Sequence, residues 1–195
     1  MNLSRSEFAP EGLLHQDYFA LFGLPLGFTL NPAVLEAAWK QLQRAVHPDR
    51  FARADDAQKR LALQWSTRIN EAYAVLKDPV QRAEYLCGLL GVRVDAQSNT
   101  QMPQEFLETQ MMLREEHADL QDLPDTPARL QALERLRTLC AGQMADGLAR
   151  LASLLDGLSE NLSAAPSSAT RARVEAAAMQ VRALMFVKKF QMELG

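Results

Sequence analysis

Cysteine is scarce in this chain of 195 residues: Cys87 and Cys140 are the only two, far apart and without CxxC spacing. That excludes a cysteine-based zinc or iron–sulfur site within one chain and fits a reducing compartment, so both are expected to pack as small apolar residues. The three histidines, His15, His47 and His117, are widely separated and share no ligand spacing, so no metal is expected. Glycines number nine, and no glycine-rich phosphate loop occurs. No apolar run reaches the roughly 18 residues of a membrane span, and the opening MNLSRSEFAPEG carries no signal-peptide core. The expectation is a soluble, cytoplasmic protein with no membrane partner. A formal charge of −3 speaks against broad binding to phosphate backbones, so no nucleic-acid partner is expected.

Alternating period-two runs are absent as well, which removes strands. What is present is apolar residues at steps of three and four, and the class is all-α. Asp17–Leu21 starts a short helix that Gly23 and Pro25 close. Asn31–Pro32 combines an N-cap with a proline at the first helical position, where its missing N–H costs nothing. The helix that follows has an apolar stripe of Val34, Leu35, Ala38, Trp39, Leu42, Ala45 and Val46, with Lys40, Gln41, Gln43 and Arg44 on the other side. Pro48 ends it. A helix from about Ala57 to Lys77, striped by Leu61, Trp65, Ile69, Ala72, Tyr73 and Leu76, is long enough to lie antiparallel to it. Asp78–Pro79 opens another helix through Leu90, closed by Gly91.

Residues 92–102 lose the stripe and read as a linker. Beyond it come a helix from Pro103 to about Leu120, one or two segments from Pro127 to about Leu158, and a last helix from about Ser168, preceded by the small-residue loop NLSAAPSSAT. These suggest a three-helix bundle. The resulting domains are an N-terminal extension over 1–15, a first module over 16–91, the linker, and a second module over 103–195.

His47-Pro48-Asp49 interrupts this pattern. Turns are built from such residues, so the triplet reads in isolation as a helix terminator. An acid–base pair finds no support, because no nucleophile stands near it in sequence and no catalytic motif accompanies it.

Taken with its neighbours, the triplet says more. DYFALFGL at 17–24, the basic second helix, HPDR at 47–50 and INEAYAVLKDPVQRAEY at 69–85 together resemble a J domain. The resemblance implies an antiparallel helical hairpin with a short first helix, whose His-Pro-Asp loop and basic helix dock on a DnaK-type ATPase chaperone and accelerate its hydrolysis of ATP. Carried over by motif position, the contacts are His47, Pro48 and Asp49, with Lys40, Arg44 and Arg50 as supporting charges. Arg50 stands where many J domains have lysine.

General J proteins carry a Gly/Phe-rich segment and often CxxCxGxG repeats, neither of which is present. The C-terminal module, from PQEFLETQMMLREEHADL at 103–120, instead resembles the HscB family of iron–sulfur cluster assembly. That resemblance implies HscA as the ATPase partner, IscU as a scaffold delivered by the helical module, and a co-chaperone with no cofactor and no catalysis of its own. Leu107, Met111 and Glu115 are four apart on one helical face, with Met112 and Asp119 on its flank. Phe186 matches a partner-contacting aromatic of the family, while Leu107 and Phe186 read equally as core, because a stripe at helical spacing is how a bundle packs. Between 103 and 125 seven acids are opposed only by Arg114, which favours a positively charged partner. Glu108 and Met112 depart from the family pattern, standing where an apolar and an acidic residue respectively are expected. The alternative function is a general J-domain co-chaperone that delivers unfolded polypeptides.

Overall fold

In a computed structural model, residues 16–51, 54–95, 102–158 and 167–195 are described, the side chain of Pro48 excepted. Among them are seven α-helices and no strand: α1 Tyr18–Leu21, α2 Pro32–Ala45, α3 Asp56–Lys77, α4 Pro79–Leu89, α5 Gln104–Gln121, α6 Pro127–Leu155 and α7 Ser168–Glu193. The chain forms two compact units, Met1–Arg82 and Ala83–Gly195.

In the first unit the caps expected at Asn31 and Asp78 are in place, and Asp17 and Asp55 add two that were not expected. Asp17 Oδ1 accepts from the amides of Phe19 and Ala20 at 2.9 Å each, and Asn31 Oδ1 accepts from Ala33 at 3.0 Å. Asp55 caps α3 through Gln58 N at 2.8 Å, and Asp78 caps α4 through Val80 at 2.9 Å and Gln81 at 3.1 Å. Each satisfies N–H groups that the first turn of a helix leaves without partners. Helix α1 ends at Gly23, whose φ of +64° favours glycine.

The core of this unit holds Phe19, Leu21, Phe28, Leu35, Val46, Trp65, Ile69, Ala72 and Leu76. The stripe expected on α2 is narrower than its composition suggests. Leu35 is the one fully buried residue of that helix, Val34 is 49% exposed, and Trp39 is only half-buried. Helix α3 covers a single strip of α2, and Trp39 lies at its margin, stacked on Tyr73 with ring centroids 4.6 Å apart. Helices α2 and α3 run antiparallel, since Trp39 meets Tyr73 whereas Gln43, a turn later, meets Asn70, nearly a turn earlier.

The second unit is built on α6 and α7, with α5 packed on both. Leu120, Leu136, Cys140, Val187, Phe190 and Leu194 form its central cluster, with Phe106 and Leu113 against it. The two long helices approach closely at Gly147, where an added Cβ would lie 2.4 Å from Leu184 Cδ2. Residues Pro127–Leu155 form one continuous helix, so the region read as one or two segments is one.

The division between the units falls inside α4, ahead of the expected linker at 92–102. The later part of α4 carries Ala83, Leu86 and Cys87, all buried, and Cys87 Sγ lies 4.0 Å from the carbonyl oxygen of Val174 on α7. Within the expected linker, Val94 is also buried, and its carbonyl accepts from the buried Arg182 at 3.0 Å. A fall in apolar content marks where a helix stops, not where packing changes partner. Residues 96–101 of that linker, the extension at 1–15 and most of the loop at 161–170 lie outside the described residues.

Candidate functional site

The chain leaves α2 through Val46, 1% exposed, whose amide donates to Leu42 O at 3.1 Å. Anchored there, it enters a single 3₁₀ turn over Pro48–Phe51, closed by Arg50 N donating to His47 O at 3.0 Å. His47 Nδ1 accepts from the backbone amide of Asp49 at 3.3 Å and lies 3.4 Å from Asp49 Oδ2. One nitrogen cannot serve both at once: unprotonated it takes the amide, protonated it pairs with the carboxylate. Either way the bond is local, and both side chains face solvent, His47 at 57% exposure and Asp49 at 90%. A carboxylate so placed keeps its acceptor sites available for a guanidinium from another molecule.

Lys40, Arg44 and Arg50 are all exposed. Lys40 and Arg44 are one helical turn apart and share a row on α2. Lys40 Nζ also pairs with Glu36 at 2.6 Å, and that hydrogen bond, then the lysine charge, holds the Glu36 carboxyl below its ordinary range. The i,i+4 order of Glu36 and Lys40 is legible in the sequence. Asn70, which accepts from Trp39 Nε1 at 3.1 Å and Gln43 Nε2 at 2.5 Å, left no such signal. Gln43, read as part of the solvent side, reaches across to α3 instead.

On α5, Met111 and Met112 are exposed at 61% and 68%, Glu115 and Asp119 are exposed, and Leu107 is half-buried. Phe186 on α7 is half-buried too, its ring edge-on to Phe106 at 6.2 Å, one residue before Leu107. The methionines thus lie in the open, whereas Leu107 and Phe186 each divide their surface between solvent and the fold.

The charge picture changes more. Arg114, the lone cation of the acidic stretch, turns towards α7: its guanidinium lies 4.9 Å from the Phe190 ring centroid and 3.5 Å from Glu193 Oε2. Glu116 and Asp125 are paired by Arg135 and Arg129 of α6. The acids opposed only by Arg114 in sequence are therefore partly neutralised in space by a neighbouring helix, and Glu115 and Asp119 remain at the exposed face.

Cys87 and Cys140 are both buried and free. Burial, then the charge of Glu84, pushes the Cys87 thiol up to about 12, and burial likewise raises Cys140. His117 packs edge-on to Phe190 at 5.8 Å. Among the described residues no group of three or more metal-ligating side chains converges, and no helix is long and apolar enough to cross a membrane.

Comparison with known proteins places the chain in a family. Residues 102–195 match the family described as the HSCB C-terminal oligomerisation domain. The chain is 42% identical over 182 residues to the co-chaperone protein HscB homolog of Burkholderia multivorans, covering 93% of this chain and 94% of that one. Its counterpart in Paraburkholderia phymatum is 41% identical with the same coverage. Among solved structures, chaperone HscB from Vibrio cholerae superposes with a TM-score of 0.71 at 34% identity, covering 92% of this chain and 95% of the other. The human co-chaperone protein HscB shares the fold, with a TM-score of 0.73 at 23% identity and coverage of 92% and 81%.

Proposed function

This chain belongs to the HscB co-chaperone family, and from that premise we propose that it is a cytoplasmic, non-enzymatic adaptor of iron–sulfur cluster biogenesis. The first unit stimulates the ATPase of the DnaK-type chaperone HscA, and the second binds the scaffold IscU and delivers it. The observation that carries this reading is the exposure of His47 and Asp49 on a closed turn, beside the Lys40–Arg44 row.

A single 3₁₀ turn tied at His47 O has little conformational freedom left to lose, so docking it costs less ordering entropy than docking an open loop. Asp49 presents a full carboxylate to a partner arginine. The surface cations of α2 add little to folding, because exposed pairs are worth roughly 0–1 kcal/mol. Their contribution falls on the rate and orientation of encounter with an acidic partner.

On the second unit, the exposed methionines offer an adaptable apolar contact, and Leu107 and Phe186 flank it from two helices. Glu115 and Asp119 supply an acidic rim. Binding the scaffold with one unit and the ATPase with the other makes the second encounter intramolecular, at an effective concentration reaching about millimolar for short connections. Hydrolysis is thereby timed to delivery.

The test is a steady-state ATPase titration of purified HscA with this chain, with and without IscU. Stimulation by the chain, increased further by IscU, is the expected result. No stimulation sinks the reading, and displacement of IscU by an unfolded polypeptide would favour a general co-chaperone.

A further inference from the structure

Helix α2 has a narrow hold on the core. Leu35 is its one fully buried residue, and Val46 lies just beyond its end. Ala38, Trp39, Leu42 and Ala45 are only half-buried, so a small roll of the helix about its axis loses little apolar area. The proposed docking row nonetheless depends on that rotation. Each residue step turns the helix by about 100°, so a fraction of one step re-aims the long side chains of Lys40 and Arg44.

Fixation comes from the other flank. The side-chain oxygen of Asn70 on α3 accepts from the Trp39 indole at 3.1 Å and from the Gln43 amide at 2.5 Å. Trp39 and Gln43 form one i,i+4 row of α2, and Lys40 and Arg44 are the residues immediately after them. Stacking of Trp39 on Tyr73, with ring planes 19° apart, adds a second restraint on the same row.

We propose that Asn70 is a positioning residue, a cross-helix lock that sets the rotation of α2 and so aims Lys40 and Arg44 at the ATPase partner; this rests on the docking function proposed above. Asn70 is exposed, and solvent-facing bonds add little to global stability. The lock therefore shows in orientation and not in melting.

Its test compares the full chain with Asn70→Leu, Asn70→Asp and Asp49→Ala in the HscA ATPase titration. Leucine is close to asparagine in size and a better helix former, so the fold is retained, which a melting curve checks. Asn70→Leu is expected to raise the half-maximal concentration about three- to tenfold with maximal stimulation unchanged, as befits the loss of two modest bonds. Asn70→Asp keeps an oxygen that accepts both, and stays within about twofold of the parent. An Asn70→Leu titration matching the parent, with Asp49→Ala inactive, overturns the lock. Full stimulation by Asp49→Ala would instead remove the docking reading. The lock is then decided without the partner: the chain has two tryptophans, and the Trp39 indole N–H resonance must shift in Asn70→Leu and hold in Asn70→Asp. An unmoved resonance in both overturns it.

Discussion

The His-Pro-Asp turn and the methionine face of α5 are two surfaces built on opposite plans. The turn is a contiguous stretch whose polar side chains contact almost nothing but each other, so its chemistry is separable from its fold. The proposed scaffold face draws on α5 and on Phe186 of α7, distant in sequence, and two of its members, Leu107 and Phe186, are half-buried. In the proposed reading, interaction and packing share atoms there. Contacts that are local and polar can be removed without loss of structure, whereas contacts drawn from a core's margin cannot.

The largest expected effect tests the separable side. Asp49→Ala should reduce HscA stimulation to the background rate while stability stays within about 0.5 kcal/mol, as for any exposed site that holds nothing up. Denaturant melting beside the ATPase assay checks both halves. A large loss of stability would make the turn as structural as the α5 face and erase the contrast.

Next comes the shared side. Leu107→Ala with Phe186→Ala should weaken scaffold binding by about tenfold or more and also destabilise the second unit by about 2–4 kcal/mol, since both side chains contribute packing. Met111→Ala with Met112→Ala should weaken binding while leaving stability within about 0.5 kcal/mol. Calorimetric titration against IscU and thermal melting of both double variants separate the two roles. Equal stability loss in both pairs would mean that the methionines pack as well.

A smaller effect comes from packing alone. Gly147→Val forces a branched side chain against Leu184, which is 1% exposed, so the side chain must shift within the core. A cost of about 1–3 kcal/mol is expected, with scaffold binding weakened through the unit's stability and ATPase stimulation retained. Loss of both activities together would show that the two units do not behave separately.

The smallest effect is confined to alkaline pH. The Cys87 thiol is raised from 9.0 to about 12 by burial, so the folded state disfavours the thiolate. The corresponding stability is fully present below about pH 9 and is lost as pH rises towards 12. Alkylation of native protein at pH 8 should accordingly spare Cys87, because the thiolate is the reactive form. Rapid labelling of Cys87 under native conditions would show the interface of α4 with α7 to be open.

Much of the fold was legible from short-range rules. Asn31 and Asp78 were readable as caps because a cap depends on residues only two or three positions away. The HPDR turn was readable for the same reason. Width of burial was not: Val34 and Trp39 have the composition of a core stripe, but α3 is too narrow a cover to bury them. Nor was charge pairing across helices. Arg135 of α6 neutralises Glu116 of α5, nineteen positions away in sequence.

From residue order alone came the helical class, the helix starts, the exposed turn with its flanking cations, and the family. All are encoded in patterns spanning a few residues, or in whole motifs. Only the tertiary structure decided that α4 spans the boundary between units, that Leu107 and Phe186 are half inside, and that Asn70 meets Trp39 and Gln43. Those facts depend on which surfaces come to face each other, and that is settled by the packing of distant segments, which no local periodicity records.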